Sequence, residues 1–392
     1  MALSPADKWL DGPGNFPPPP PNDPEAPTSG GPSGVSGGAA ASSGGADGTI
    51  SLAGAGAGTA APLAGAAAVA AAGKRSEEKQ VSFDELVMIE PIGEGSFGRA
   101  SCRLACVGAL PCLPLLGAHA VKVLIDKEAM ANAGPKEALS LPGSLMAKLD
   151  EEASLLASLR HPCVVQFMGV CRAPPCIITE YCPKGNLTSV LMAAKRDAAL
   201  SAELTWRRRL GMALDAARGM VYLHTRSPPI IHRDLKSPNL LVDDSYRCKV
   251  SDFNLSRFVE ENLGTKSSSM AAMNPRWLAP EVMKGDRATP AAGKQGLGGW
   301  DTYSFGIVMW ELLTWELPWS TTGPWQLVNL LMNGGHLEIP PREELPGADT
   351  PSFEGLDAYI QLMKRCWAQN QYDRPGFEEI TRDLRSLLDS TA

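Results

Sequence analysis

A chain of 392 residues with 44% hydrophobic residues is long enough for a two-lobed domain of about 250–300 residues plus a sizeable extension. Its formal net charge of −7 points away from nucleic acid and anionic lipid as partners. Nine cysteines occur without a CxxC pair, and Asp7, Lys8 and Asp11 interrupt any apolar export signal, so reduced thiols and a cytoplasmic setting are expected.

Gly, Ala, Pro and Ser fill 52 of the first 73 positions. Such a segment lacks the large side chains needed to offset ordering entropy, so residues 1–80 are expected to form a disordered extension. Residues 48–73 carry no charge, but Ala and Gly dominate and contribute little to membrane insertion, so a span is not expected. Pro17–Pro21 favours a local polyproline II helix, either a solvated spacer or a ligand for an SH3-like partner. From Phe83 the chain reads as strands, one helix and more strands up to Tyr181, then mostly helices. Residues 204–224 and 302–314 are predicted helices, the second buried. The expected class is α+β, a small β-rich lobe over 83–182 followed by a larger α-helical lobe over 183–388.

Three stretches carry chemistry. Gly93, Gly95 and Gly98 follow the strand-like LVMIEPI, and glycines let backbone N–H groups approach phosphates closely. Alone, G-x-G-x-x-G also marks dinucleotide-binding folds. Those open a helix next, whereas here a strand around Ala120–Val123 follows and offers Lys122 to the nucleotide phosphates. A buried lysine needs a counter-charge. Glu152 in SLMAKLDEEASLLASLRHP is favoured because Leu145, Leu149, Leu155, Leu156 and Leu159 set the buried side beside it; Glu151 is the rival by one residue. In IHRDLKSPNLLV, Asp234 can accept a hydroxyl proton, Lys236 can steady a transferring phosphoryl group and Asn239 can hold a divalent metal. Asp252 in SDFNLS supplies a carboxylate to complete a Mg²⁺ site.

With LRHPCVVQFMGVC, IITEYCPKGNL, HRDLKSPNLLVD, WLAPEV, YSFGIVMWELLTWELPW and RCWAQNQYDRPGFEEI, residues 82–388 resemble a eukaryotic protein kinase. More narrowly they resemble the tyrosine-kinase-like group, near the Raf-like and mixed-lineage-like kinases of plants and algae. The resemblance implies the bilobal kinase fold with its helix C, ATP and Mg²⁺ as cofactors, and protein substrates. It implies nucleotide contacts from Ile92, Gly93, Gly95, Ser96, Phe97, Gly98, Ala120, Lys122 and Glu152. Thr179 becomes the gate of the adenine pocket, with Glu180 to Cys182 as the hinge. Asp234, Lys236, Lys122, Asn239 and Asp252 become catalytic, the last two as metal ligands. It also pairs Glu281 with Arg374, and makes Asp301 the buried aspartate that starts the central helix and holds the catalytic-loop backbone. His232 and Arg233 become structural. Lys236 matches the serine/threonine pattern, with dual specificity the other possibility.

Four departures stand out: Asn254 replaces the glycine of DFG, Ala100 replaces a valine over the adenine, and Asn274 replaces a threonine of the substrate-docking loop. The fourth is length and composition, in the apolar run Cys102–Gly117 (a genuine insertion or a mis-assembled gene model) and in the flexible-looking insertion Ala288–Trp300. They keep two alternatives open, a pseudokinase or ATP-binding scaffold and an adaptor acting through its proline-rich tail. Arg233, just before Asp234, suits pairing with a phosphorylated activation segment, for which Thr265, Ser267, Ser268 and Ser269 supply hydroxyls. Replacing all four with alanine is expected to lower turnover in a phosphate-transfer assay; unchanged turnover would remove them as the activating site.

Overall fold

Short strands separated by one helix build the smaller lobe. The computed structural model describes residues 80–82, 86–95, 98–105, 118–123, 143–173, 175–252, 275–284, 299–347 and 353–391. Strands β1 (Val87–Gly95), β2 (Gly98–Ala105), β3 (Ala118–Val123), β4 (Phe167–Arg172) and β5 (Pro175–Glu180) form one sheet in the order β1-β2-β3-β5-β4. The paired strands are antiparallel, with register shifts in β1 around Pro91, Gly93 and Gly95, the glycine-rich end.

Helix α1 (Gly143–Ser158) is the helix expected between β3 and β4. Its Leu149 and Ala153 are buried against Phe167, Val170 and Ile177 of β4 and β5, with Met146 and Leu156 packed alongside. The apolar spacing therefore seats the helix on the sheet. Arg172 at the end of β4 reaches back to Asp150 of the helix, Nη2 to Oδ1 at 2.9 Å.

The larger lobe is helical: α2 (Leu187–Arg196), α3 (Ala198–Glu203), α4 (Trp206–His224), α5 (Pro280–Met283), α6 (Gly299–Thr314), α7 (Pro324–Met332), α8 (Leu356–Cys366) and α9 (Phe377–Ser390). Among the described residues of this lobe, the one strand pairing is the hairpin of β6 (Leu240–Val242) and β7 (Cys248–Val250). Helix α4 begins two residues later than predicted because the Thr205 hydroxyl accepts from Arg208 N–H and caps it at 205. Every residue of α6 except Trp300 is buried, as an all-round apolar helix must be to fold stably in water. It starts three residues ahead of the prediction, so Asp301 sits within its first turn, where the helix dipole favours a carboxylate.

Two close contacts fix the hairpin beneath the smaller lobe. Val250 N–H donates to Cys163 O at 2.9 Å and Val165 N–H to Val250 O at 2.9 Å. Helix α4 passes so near this crossing that a Cβ on Gly219 would meet Val250 Cγ2 at 2.8 Å. Glycine is needed there for space, not for φ. The cysteines Cys163, Cys171, Cys176 and Cys182 are buried thiols outside any disulfide.

The ion pair expected between Glu281 and Arg374 is present and bidentate, at 2.5 and 2.9 Å, with the Arg374 side chain wholly buried. Arg374 also donates to Gly299 O and Ala368 O, tying the starts of α5 and α6 to the loop after α8. Removing one partner of such a pair strands the other charge. Glu281→Ala is expected to cost about 3–5 kcal/mol, read as a lowered denaturation midpoint.

Candidate active site

The loop from Ile231 to Asn239 lies between α4 and β6 and has almost no regular structure of its own, so its shape is imposed from outside. Asp301 does much of this. Its Oδ2 accepts from His232 N–H at 2.9 Å and its Oδ1 from Arg233 N–H at 2.8 Å, and His224 Nε2 lies 2.8 Å from Oδ2. These bonds hold Arg233 at φ 67°, a left-handed conformation that a non-glycine residue rarely adopts unsupported.

His232 is fully buried and carries the constraint onward. Asp234 N–H points at its Nδ1 at 3.3 Å, which makes that nitrogen the acceptor. Nε2 therefore bears the proton and donates to Ser251 O at 2.9 Å. Ser251 returns two bonds to Asn239 O, from its N–H at 2.9 Å and its hydroxyl at 2.8 Å. The loop and the residue ahead of Asp252 are thus joined at three points. Asp252 itself stands at φ 56°.

The candidate groups meet in two sets. Lys236 Nζ is 2.8 Å from Asp234 Oδ2, and Asn239 Nδ2 donates to the same oxygen at 3.0 Å and to Asp234 O at 2.8 Å. Lys122 Nζ, brought from β3, is 2.8 Å from Asp252 Oδ1. Asp252 is therefore one partner of this lysine. Glu152 falls within α1, but its side chain, like that of Glu151, lies outside the described residues.

Gly93, Gly95 and Gly98 lie where β1 turns toward β2, and Gly95 pairs with Gly98. Ile92 precedes them in β1, and Ser96 and Phe97 lie outside the described residues. In the register of β3 with β5, Ala120 faces Thr179 and Lys122 faces Ile177. Thr179 is the penultimate residue of β5, and the carboxylate of Glu180, the last, takes Lys249 Nζ at 2.7 Å and Gln166 N–H at 2.7 Å. Burial, with Glu180 nearby, pushes the Cys182 thiol up to about 12, so it is a neutral packing group. Ala100 lies in β2; Asn254, Asn274, the four activation-segment hydroxyls, residues 106–117 and residues 285–298 lie outside the described residues.

Several contributors had no place in the predicted set: His224, Ser251, Lys249, Gln166, Ser237 and Glu311. Glu311 left a signal, as a lone carboxylate in the apolar run from Phe305 to Leu313. The other five had none, being ordinary polar residues whose partners are distant in the chain.

A five-stranded sheet carrying Lys122, joined to a helical lobe whose loop holds Asp234, Lys236 and Asn239 beside Asp252, defines the class as a bilobal kinase-type domain. The family model described as protein tyrosine and serine/threonine kinase matches residues 140–384, more than half of the chain. The chain belongs to that family. It is 35% identical over 325 residues to the serine/threonine-protein kinase CTR1 of Arabidopsis thaliana, covering 81% of this chain and 33% of that protein. It is 34% identical over 316 residues to the probable serine/threonine-protein kinase drkC of Dictyostelium discoideum, covering 79% of this chain and 36% of that one. The chain therefore spans about a third of the length of these relatives. Membership implies use of ATP and a divalent metal in general. The donors fit such a metal: the Asn239 amide nitrogen is committed to Asp234, leaving its oxygen to join an Asp252 carboxylate oxygen, both hard ligands.

Burial works to raise the Asp301 carboxyl, but the His224 contact and the His232 N–H outweigh it and hold the group below its ordinary 3.8. A depressed carboxyl contributes stability above its unfolded value and loses it as pH falls through the folded one. The stability gap between wild type and Asp301→Asn is expected to be widest above pH 3.8 and to shrink below it in thermal melts across pH.

Proposed function

We propose that this chain is a protein kinase domain that transfers the γ-phosphate of ATP to serine or threonine hydroxyls of proteins. The observation that carries the proposal is the joining of the Asp234–Lys236–Asn239 cluster to the Lys122–Asp252 pair through His232 and Ser251. Phosphoryl transfer asks mainly for positioning and charge neutralisation, and this arrangement supplies both.

In this reading Asp234 orients the acceptor hydroxyl and takes its proton, while Lys236 steadies the charge of the phosphoryl group in flight. Asn239 and Asp252 hold Mg²⁺, which when bound neutralises phosphate charge. Lys122 anchors the nucleotide, supported by Glu152, and its contact with Asp252 keeps the phosphate-facing cation beside the metal-facing carboxylate. Ile92, Gly93, Gly95, Ser96, Phe97, Gly98 and Ala120 cover the nucleotide, with Thr179, Glu180 and Cys182 at its adenine end. Hydroxyl preference rests on Lys236 in HRDLKSPN and on relatives named as serine/threonine kinases.

Residues 83–182 and 183–388 are then the two lobes, and 1–80 an extension whose Pro17–Pro21 run suits an SH3-like partner. A cytoplasmic setting is consistent with six buried cysteines outside any disulfide among the described residues. No helix among those residues is long and apolar enough to cross a membrane.

Radiolabelled phosphate transfer to a generic protein substrate should fall at least about 100-fold in Asp234→Asn, the scale of losing a positioned base. Equal labelling by both proteins would refute the reading; Mg·ATP binding without transfer by the wild type would mark an ATP-binding scaffold. In thermal melts Asp252→Asn should abolish the extra stabilisation that Mg²⁺ adds to that given by ATP alone.

A further inference from the structure

The stretch CRAPPC sets Cys171 and Cys176 on either side of the connection from β4 to β5. A hairpin that short brings its flanking residues face to face, and the register pairs Cys171 directly with Cys176. Among the described residues no other two cysteines are register partners. Partners in adjacent antiparallel strands have Cα atoms about 4.5–5.5 Å apart. A disulfide bridges Cα separations of about 4.4–6.8 Å, so the backbone already suits one.

The side chains meet as well. The two thiols hydrogen-bond to each other, and Cys171 Sγ also donates to Ala173 O at 3.5 Å. A thiol has one proton. Cys171 directs its own at the turn, so its sulfur accepts the proton of Cys176.

Both side chains are buried, Cys171 at 2% and Cys176 at 0% exposure, and buried thiols are ordinarily inert. Place distinguishes this pair. Strand β4 stands last in the strand order of its sheet, and Cys171 is two residues before Ala173, which is exposed. Opening the end of a hairpin costs far less than unfolding the domain. Such opening releases the Cys171 contact with the turn and uncovers its sulfur.

We propose that Cys171 and Cys176 are a reversible oxidation site, a dithiol that hydrogen peroxide converts into a cross-strand disulfide. The Cys171 sulfur attacks one peroxide oxygen, the O–O bond breaks, and the other oxygen leaves as water with the thiol proton. Cys176 then attacks the resulting sulfenic acid at sulfur. The S–O bond breaks, and its hydroxyl leaves as a second water with the Cys176 proton. The dithiol gives up two electrons and two protons, and the peroxide takes both. A thiol reductant reverses the change by exchange. None of this depends on phosphate transfer by the chain.

Peroxide treatment of the full chain, then non-reducing tryptic digestion and mass spectrometry, tests it. Arg172 lies between the two cysteines, so cleavage after it leaves two peptides joined only by the disulfide. The joined pair should form at least about tenfold faster than any other cysteine pair and disappear with dithiothreitol. In Cys176→Ser a sulfenic acid should accumulate at Cys171 and be captured by dimedone, whereas in Cys171→Ser none should be captured at Cys176.

A folded chain that joins these peptides only in denaturant, or joins another pair first, overturns the proposal. Capture at Cys176 in Cys171→Ser overturns the order of attack. Should either variant not fold, the wild-type peptide map decides alone.

Discussion

Nearly everything in the site hangs on one buried charge. Asp301 sits in the first turn of a helix that is itself buried, and an ionised carboxylate there must be compensated or it would take up a proton. Compensation comes from the backbone N–H groups of His232 and Arg233 in the loop Ile231–Asn239 and from His224. Because α6 is packed on almost all sides, the loop that satisfies Asp301 inherits the rigidity of the core. The strained φ of Arg233 is then a local cost set against a charged hydrogen-bond network.

From that anchor the order passes outward by direct contact. His232 hands it to Ser251, Ser251 hands it back to Asn239, and Asp252 follows one residue on. Lys122 then crosses from the strand lobe to close the site, so its two halves are coupled by an ion pair as well as by the chain. Glu281 with Arg374 and Glu311 with Ser237 and Trp277 repeat the device around the same helix. The interior of this lobe is held by apolar area, while its loops are aimed by buried carboxylates. The proposed chemistry depends on the aiming, since a kinase acts chiefly by placement.

Much of this was legible from residue order. Period and composition placed the strands, α1 and the buried α6, because apolar spacing reports which face must leave water. The resemblance placed Asp301 and the Glu281–Arg374 pair, and the contacts found are those it implied. Boundaries were less legible. Helix α4 starts late because the Thr205 hydroxyl caps it, a single hydrogen bond that periodicity does not register, and α6 starts three residues early. Gly219 reads as an ordinary helix glycine until α4 is laid against Val250.

By itself, the order of residues determined the family, the lobe sequence and the chemical groups proposed for phosphoryl transfer, since spacing, side-chain type and turn chemistry are local properties. Only the tertiary structure decided which of these groups touch. Lys122 meets Asp252 across 130 positions, Glu180 meets Lys249 across 69, and Glu311 reaches Ser237 across 74. Such partners are selected by burial, which forces each polar group to find a complement wherever the packed chain brings one near. Sequence distance carries no record of that choice.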